Sequence, residues 1–270
     1  MILEFLEWLA TPCPADLRKL GYRTELIAIG ARHRRCRAAW ADHLARSRRA
    51  IETAINRAAA RRTAIVLGSG RLLDVPLARL AKTFQRVVLV DAVHSLPARL
   101  QAMRHPNVDL CAADVTGVLA ELRRLKPGDG LPPARSFAPI HAADVDLVVS
   151  LNLLSQLGVL PVEWIERRLG PGAETKAEAF AAALTRAHLD DLGRCRATVC
   201  LIADVEWRHV GPNGEIRERA SSIHGVAPPT PAEDWIWPIA PAPEIDPLIS
   251  EHRRVIVAYD PGKSRAIPGD

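Results

Sequence analysis

The stretch Ala64-Ile65-Val66-Leu67-Gly68-Ser69-Gly70 is followed, about one helix-length later, by a second apolar run, Val87-Val88-Leu89-Val90, which stops at Asp91. The first run suits a strand buried on both faces. The two glycines let the backbone turn sharply into a helix and leave room for a ligand to approach closely. Amides at the start of that helix point toward whatever occupies the turn. Asp91 lies 21 residues beyond Gly70, the separation expected of an acid that accepts hydrogen bonds from ribose hydroxyls after one strand-helix-strand crossover. Leu72 and Leu73 hold the places where a third glycine would fall. The pattern therefore predicts a ribose-bearing cofactor and leaves a dinucleotide open.

Strand and helix signals alternate from there. Strands are expected over 64–67, 86–90, 107–112, 145–151 and 197–203, with helices over 74–84, 95–104, 116–125 and 174–194 between them. Strand-helix units of roughly 20 to 25 residues fit right-handed parallel crossovers. Beyond Asp204 the pattern changes. Residues 207–210 and 215–218 read as strands around the turn Gly211-Pro212-Asn213-Gly214. Residues 227–243 hold six prolines and two tryptophans, too many prolines for a central strand or a helix. A last strand is expected over 254–259.

With 270 residues, 48% of them hydrophobic, the chain can bury a full core. No run approaches the roughly 20 apolar residues of a membrane span. The opening run Met1 to Leu9 lacks a basic leader and contains Glu4 and Glu7, so a signal peptide is not expected and the cytoplasm is the default location. Five cysteines without a CxxC pair point to neither a metal site nor a disulfide framework; Cys111 and Cys200 read as packing residues. Residues 1–62 hold 13 Lys plus Arg against 6 Asp plus Glu, and the remainder 23 against 25. The positive excess is thus N-terminal. There Trp40, Leu44, Ile51 and Ile55 form a helical stripe, with Arg34, Arg35, Arg46, Arg49, Arg57 and Arg61 around it. A docked helix with a solvated arginine face is favoured over a nucleic-acid surface, because no RNA-binding motif accompanies it and aromatic residues make up 4% of the chain.

Taken together, Val66-Leu67-Gly68-Ser69-Gly70, Val88-Leu89-Val90-Asp91, Ala112-Ala113-Asp114-Val115 and the run from Asp146 to Leu157 resemble, in order and spacing, the motifs of class I S-adenosylmethionine-dependent methyltransferases. The resemblance covers about residues 63–205. It implies an α/β fold: a doubly wound, mostly parallel Rossmann-like sheet with a partly antiparallel C-terminal end. The expected division is a basic helical segment over 1–62 and an S-adenosylmethionine-binding domain over 63–270. Gly68, Ser69 and Gly70 would pass under the methionine part of the cofactor, and Asp91 with Ala92 would hold the ribose. Asp114 would face the adenine amino group with Val115 alongside. Ser150 and Asn152 would line the place where methyl donor meets acceptor. Val66 replaces an acid usual in that family and Leu72 its third glycine. Asn152 lacks the Pro-Pro-aromatic continuation of enzymes that methylate amino groups of nucleic-acid bases, so that subclass is not expected.

Other roles stay open for the acids. Asp91 could cap the following helix, Asp114 could be an ordinary N-cap, and Asp74 could serve either the helix start or a ligand; Asp146, at the remote end of its strand, reads as structural. Among the candidate bases His94, Asp204, His209 and His224, the strand-end position favours Asp204, together with Asn152, as catalytic residues. Trp235 and Trp237 could cover an acceptor pocket or belong to the core. The leading expectation is a methyltransferase acting on a small molecule. A nicotinamide-dependent oxidoreductase and a non-catalytic module whose basic helix contacts RNA or protein are the alternatives.

Overall fold

In the computed structural model, which describes residues 2–262, Thr63–Leu67 (β1) and Val145–Leu151 (β4) are buried at every residue. Strands rich in Val, Ile and Leu that hide both faces belong in the middle of a parallel sheet, and these two pair in parallel, Leu67 opposite Ser150. Arg86–Asp91 (β2) and Val108–Ala112 (β3) extend the sheet on one side, and Thr198–Val210 (β5) on the other, all in parallel. Ser250–Tyr259 (β8) then runs antiparallel to β5, and Glu233–Ala240 (β7) antiparallel to β8. The order is β3-β2-β1-β4-β5-β8-β7, with Ile216–Ser221 (β6) paired to the far half of β5. This is the Rossmann-like sheet with an antiparallel C-terminal end that the sequence predicts.

Side chains alternate across the sheet with a period of two. Val66, Leu147 and Val149 meet Arg37–Arg57 (α4), Leu77–Thr83 (α5) and Leu96–Ala102 (α6) on one face. Ile65, Leu67 and Val148 meet Leu119–Leu122 (α7), Val159–Leu169 (α8) and Glu174–Gly193 (α9) on the other. Ahead of α4 lie Ile2–Ala10 (α1), Ala15–Lys19 (α2) and Tyr22–Arg35 (α3). The predicted stripe docks α4: Trp40, Ile51 and Ile55 are buried against the sheet and β7, while Leu44 is half-buried. At the amino end of β4, remote from the carboxyl ends of the strands, Asp146 accepts from the Arg62 backbone N–H at 2.7 Å and from its guanidinium at 2.6 Å. That guanidinium holds the Asp146 carboxyl below the usual carboxylate range. Among the described residues no helix is long and apolar enough to cross a membrane, and no group of His, Cys, Asp and Glu could hold a metal ion.

Two helices differ from the sequence expectation for local reasons. The helix expected over 116–125 shrinks to α7, because Gly117 sits at φ +66° and turns the chain out of a helical path. The helix expected from 74 begins at Leu77, after Leu72 at φ +58° and Pro76 at the N-cap position. The proline-rich segment contains β7, an edge strand in which Pro238 falls at the register break between Trp237 and Ala240, where no ladder donor is required. The helix α8 was not anticipated.

One buried histidine ties α9 to the sheet: the His188 ring and the Ser150 hydroxyl lie 2.9 Å apart. Burial pushes the His188 pKa down to about 4 from an ordinary 6.5. As pH falls from the higher value to the lower, the unfolded chain binds a proton that the folded chain refuses, so the folded state loses stability. His188→Gln removes that proton site and keeps a polar partner for Ser150. Relative to the parent, its unfolding free energy is expected to gain up to about 3 kcal/mol as pH drops through this window. Urea titrations at several pH values measure the difference, and a flat difference would contradict the assignment.

Candidate active site

The carboxyl end of β1 runs into a turn that only small residues can make. Gly68 has φ +73°, and a Cβ there would meet the Leu151 carbonyl oxygen at 2.6 Å. Gly70 follows at φ +50°, and its N–H donates to Asp91 Oδ2 at 2.7 Å. The other carboxylate oxygen accepts a long bond from the Val93 N–H, 3.4 Å. Burial raises the Asp91 pKa, against the pull of the Gly70 amide and of His94. Leu72 takes the left-handed conformation a third glycine would take, and its side chain is buried.

A cavity of about 370 Å³ opens over this turn. Its floor crosses the sheet from the β2 and β3 ends, with Asp91, Ala92, Asp114 and Val115, past Gly68, Ser69 and Gly70, to Asn152 after β4 and Asp204 in β5. Its roof is N-terminal: Tyr22, Leu26 and Ile29 from α3, and Trp40, His43 and Leu44 from α4. Nine of the ten residues nominated from the sequence therefore line one cavity. Ser150 lies outside it, its hydroxyl engaged with His188 on α9.

The nominated acids differ in how much of their bonding capacity is spent. Asp114 Oδ1 accepts from the Thr116 N–H at 2.8 Å and hydroxyl at 2.6 Å, and its Oδ2 from the Leu119 N–H at 2.8 Å. It thus caps the approach to α7. Asp204 accepts from the Ser155 hydroxyl and lies 3.4 Å from Arg253 Nη1. Burial raises the Asp204 carboxyl, and the Arg253 charge and Ser155 pull it back down. The Tyr22 phenol is pushed up chiefly by burial, with the charges of Asp114 and Asp91 adding to it.

Beyond β4 the cavity holds a polar cluster among aromatic rings. Asn152, at φ +47°, donates from Nδ2 to Asp74 Oδ2 at 2.8 Å, and the same nitrogen is 3.3 Å from His43 Nε2. His43 Nδ1 accepts from Trp235 Nε1 at 3.2 Å, and its ring stacks on Trp237 at 3.8 Å. Trp40 meets Trp237 edge-on at 4.8 Å and donates to the Ile239 carbonyl. Of the two tryptophans expected near a pocket, Trp237 lines the cavity and Trp235 braces His43 from behind. His94, His209 and His224 do not line it; the latter two face Glu218 and Glu178. His43 was missed, although it sits on the same stripe as Trp40 and Ile51. A histidine on the buried face of an otherwise apolar stripe was the available signal.

No protein-family model and no curated protein sequence matches this chain. Solved structures similar to it include Burkholderia thailandensis 1,6-didemethyltoxoflavin-N1-methyltransferase with bound 1,6-didemethyltoxoflavin and S-adenosylhomocysteine, at 16% identity over 90% of this chain and 92% of that one, TM-score 0.38. N-methyltransferase NodS from Bradyrhizobium japonicum WM9 in complex with S-adenosylhomocysteine is similar at 10% identity over 78% and 86%, TM-score 0.31. The DhpI complex with S-adenosylhomocysteine is similar at 15% identity over 85% and 93%, TM-score 0.33. At identities this low the likeness is one of fold, and the fold of this chain, on its own strand order, is Rossmann-like.

Proposed function

We propose that the chain is an S-adenosylmethionine-dependent methyltransferase acting on a small molecule. The observation that carries this reading is a single cavity that begins at a bare glycine turn beside a half-buried carboxylate and continues, past the end of β4, into a recess with its own polar cluster. A donor and an acceptor can meet there without crossing solvent. The volume lies within the range of small-molecule sites, ~300–1,000 Å³.

S-adenosylmethionine fits these residues. The turn must stay bare at Gly68, since any side chain there collides with the Leu151 carbonyl. The underused Oδ1 of Asp91 suits a ribose hydroxyl, with Ala92 beside it. Val115 and Leu119 offer an apolar wall for the adenine; Asp114, spent on its cap, has less to give the amino group. The cofactor supplies a methyl group made electrophilic by a sulfonium. The protein's part is alignment, exclusion of water and a group to take any proton the acceptor sheds. A small acceptor is supported by the roof of α3 and α4 over the cavity. It is also supported by the engagement of several N-terminal arginines within the chain: Arg34 with Glu4, Arg35 with Glu244, Arg46 with Asp42 and Arg57 over Tyr259.

Isothermal titration with S-adenosylhomocysteine and, separately, with NADH tests the reading. Binding of the former in the micromolar range, and of the latter much more weakly, is expected. The reverse order would favour the nicotinamide alternative, and no heat with S-adenosylhomocysteine would end the methyl-transfer proposal.

A further inference from the structure

Asp74 follows the glycine turn by four residues and is close enough to α5 to cap it, yet it does not. The N-cap position is Pro76, and α5 has no side-chain cap. The carboxylate instead faces the cavity, held by the Asn152 amide. Asn152 in turn touches His43, and His43 lies flat on Trp237. Leu44, Ile239 and Trp40 complete an apolar recess around one carboxylate.

We propose that this recess is the acceptor subsite and that it takes a small organic amine with an apolar body, whose ammonium is bound by Asp74; the assignment rests on the methyl-transfer reading above. A carboxylate among apolar walls needs a cation more than it needs another neutral donor. The compensation around it is slight. His43 on α4 is pushed by burial to about 3 and stays neutral. Arg48, also on α4, is exposed and gives one guanidinium nitrogen to the Leu73 carbonyl. Across the cavity α3 contributes Glu25 and Arg32, one of each sign, and the turn contributes Arg71, which is paired with Glu7. Burial raises Asp74 to about 6 against the opposing pull of its own backbone N–H, Arg48 and Asn152, so it is ionised at neutral pH. Tryptophan rings beside a carboxylate add a second preference for organic cations.

The same carboxylate can then serve the chemistry. The bound ammonium passes a proton to Asp74, which leaves a lone pair on nitrogen. That pair forms the new C–N bond as the C–S bond breaks and its electrons return to sulfur. The product leaves as the methylated ammonium, and Asp74 returns its proton to solvent.

The test is titration of the full chain with benzylamine and with benzyl alcohol, a neutral molecule of the same shape, both at saturating S-adenosylhomocysteine. At pH 7.5 benzylamine is expected to bind at least about ten-fold more tightly. That preference should vanish at pH 5 and in Asp74→Asn, whose affinity for S-adenosylhomocysteine should stay within about two-fold of the parent. Equal binding of the two probes would overturn the assignment. So would a preference that survives Asp74→Asn, displacement of benzylamine by S-adenosylhomocysteine, or loss of S-adenosylhomocysteine binding in Asp74→Asn; the last two would give Asp74 to the cofactor instead. If that variant does not fold, the parent decides alone: an unchanged preference between pH 7.5 and 5 refutes the role. If the parent binds no S-adenosylhomocysteine, the methyl-transfer reading fails, and the benzylamine preference measured without it still decides the role of Asp74.

Discussion

Asp91→Ala is expected to weaken S-adenosylhomocysteine binding about 100-fold while leaving the melting temperature unchanged or slightly higher. The two halves of this result come from one fact. Burial raises the Asp91 carboxyl above its ordinary range, so the ionised group costs the ligand-free protein stability. Its ties within the chain are one good bond from the Gly70 N–H, weaker ones from the Val93 and Ala92 N–H groups, and the pull of His94. Removing it therefore costs the fold little. A ligand hydroxyl donating to this carboxylate in its ionised form would gain roughly 1.5–3 kcal/mol per bond, and two such bonds at the low end of that range account for the expected factor. Asp91→Asn, which keeps an acceptor for Gly70 and loses the charge, should fall between parent and alanine variant. If Asp91 were a local brace for the turn, stability and affinity would fall together, and a drop of several degrees in Asp91→Ala would identify that case.

The β1 turn and the Asp91 position were legible because they are local: glycine placement and strand-end position follow from backbone sterics and from the crossover length. The alternation of β1, β2, β4 and β5 was legible because buried parallel strands read as continuous apolar runs. The cluster beyond β4 was legible only in part: Asn152 was nominated and Asp74 and Trp237 stood as open candidates, but His43 and the meeting of the four were not foreseen, for a physical reason. Asn152, His43, Asp74 and Trp237 stand far apart in the sequence and meet only because α4 packs across the sheet onto β7 at its antiparallel edge. Ser150 illustrates the opposite failure. It lies two residues before Asn152 and at the same strand end, and a continued strand would put both on one face; Ser150 stays on the α9 side with His188, while the left-handed backbone at Asn152, φ +47°, carries that side chain into the cavity.

The same long-range packing bears on whether residues 1–62 fold apart from the rest. Trp40 on α4 is 3% exposed, meets Trp237 edge-on and donates to the Ile239 carbonyl at 2.8 Å, so one side chain joins the N-terminal helices to the last strands of the sheet. Trp40→Ala is expected to cost about 3–5 kcal/mol through lost burial and the cavity left behind. Ile236→Ala, on the same edge strand but at a residue 40% exposed, should stay within about 0.5 kcal/mol. Because the α4 stripe shares its core with β1, β4 and β5, the loss should appear as a shift of one cooperative transition, coincident by far-ultraviolet circular dichroism and tryptophan fluorescence. Two separated transitions in the parent, or a Trp40→Ala variant that loses only the earlier of them, would mean that the N-terminal helices are an independent unit. The roof of the cavity would then be free to leave it. A single shifted transition would instead tie ligand enclosure to the stability of the whole sheet, so that bound S-adenosylhomocysteine should recover part of what Trp40→Ala loses, in proportion to the affinity the variant retains.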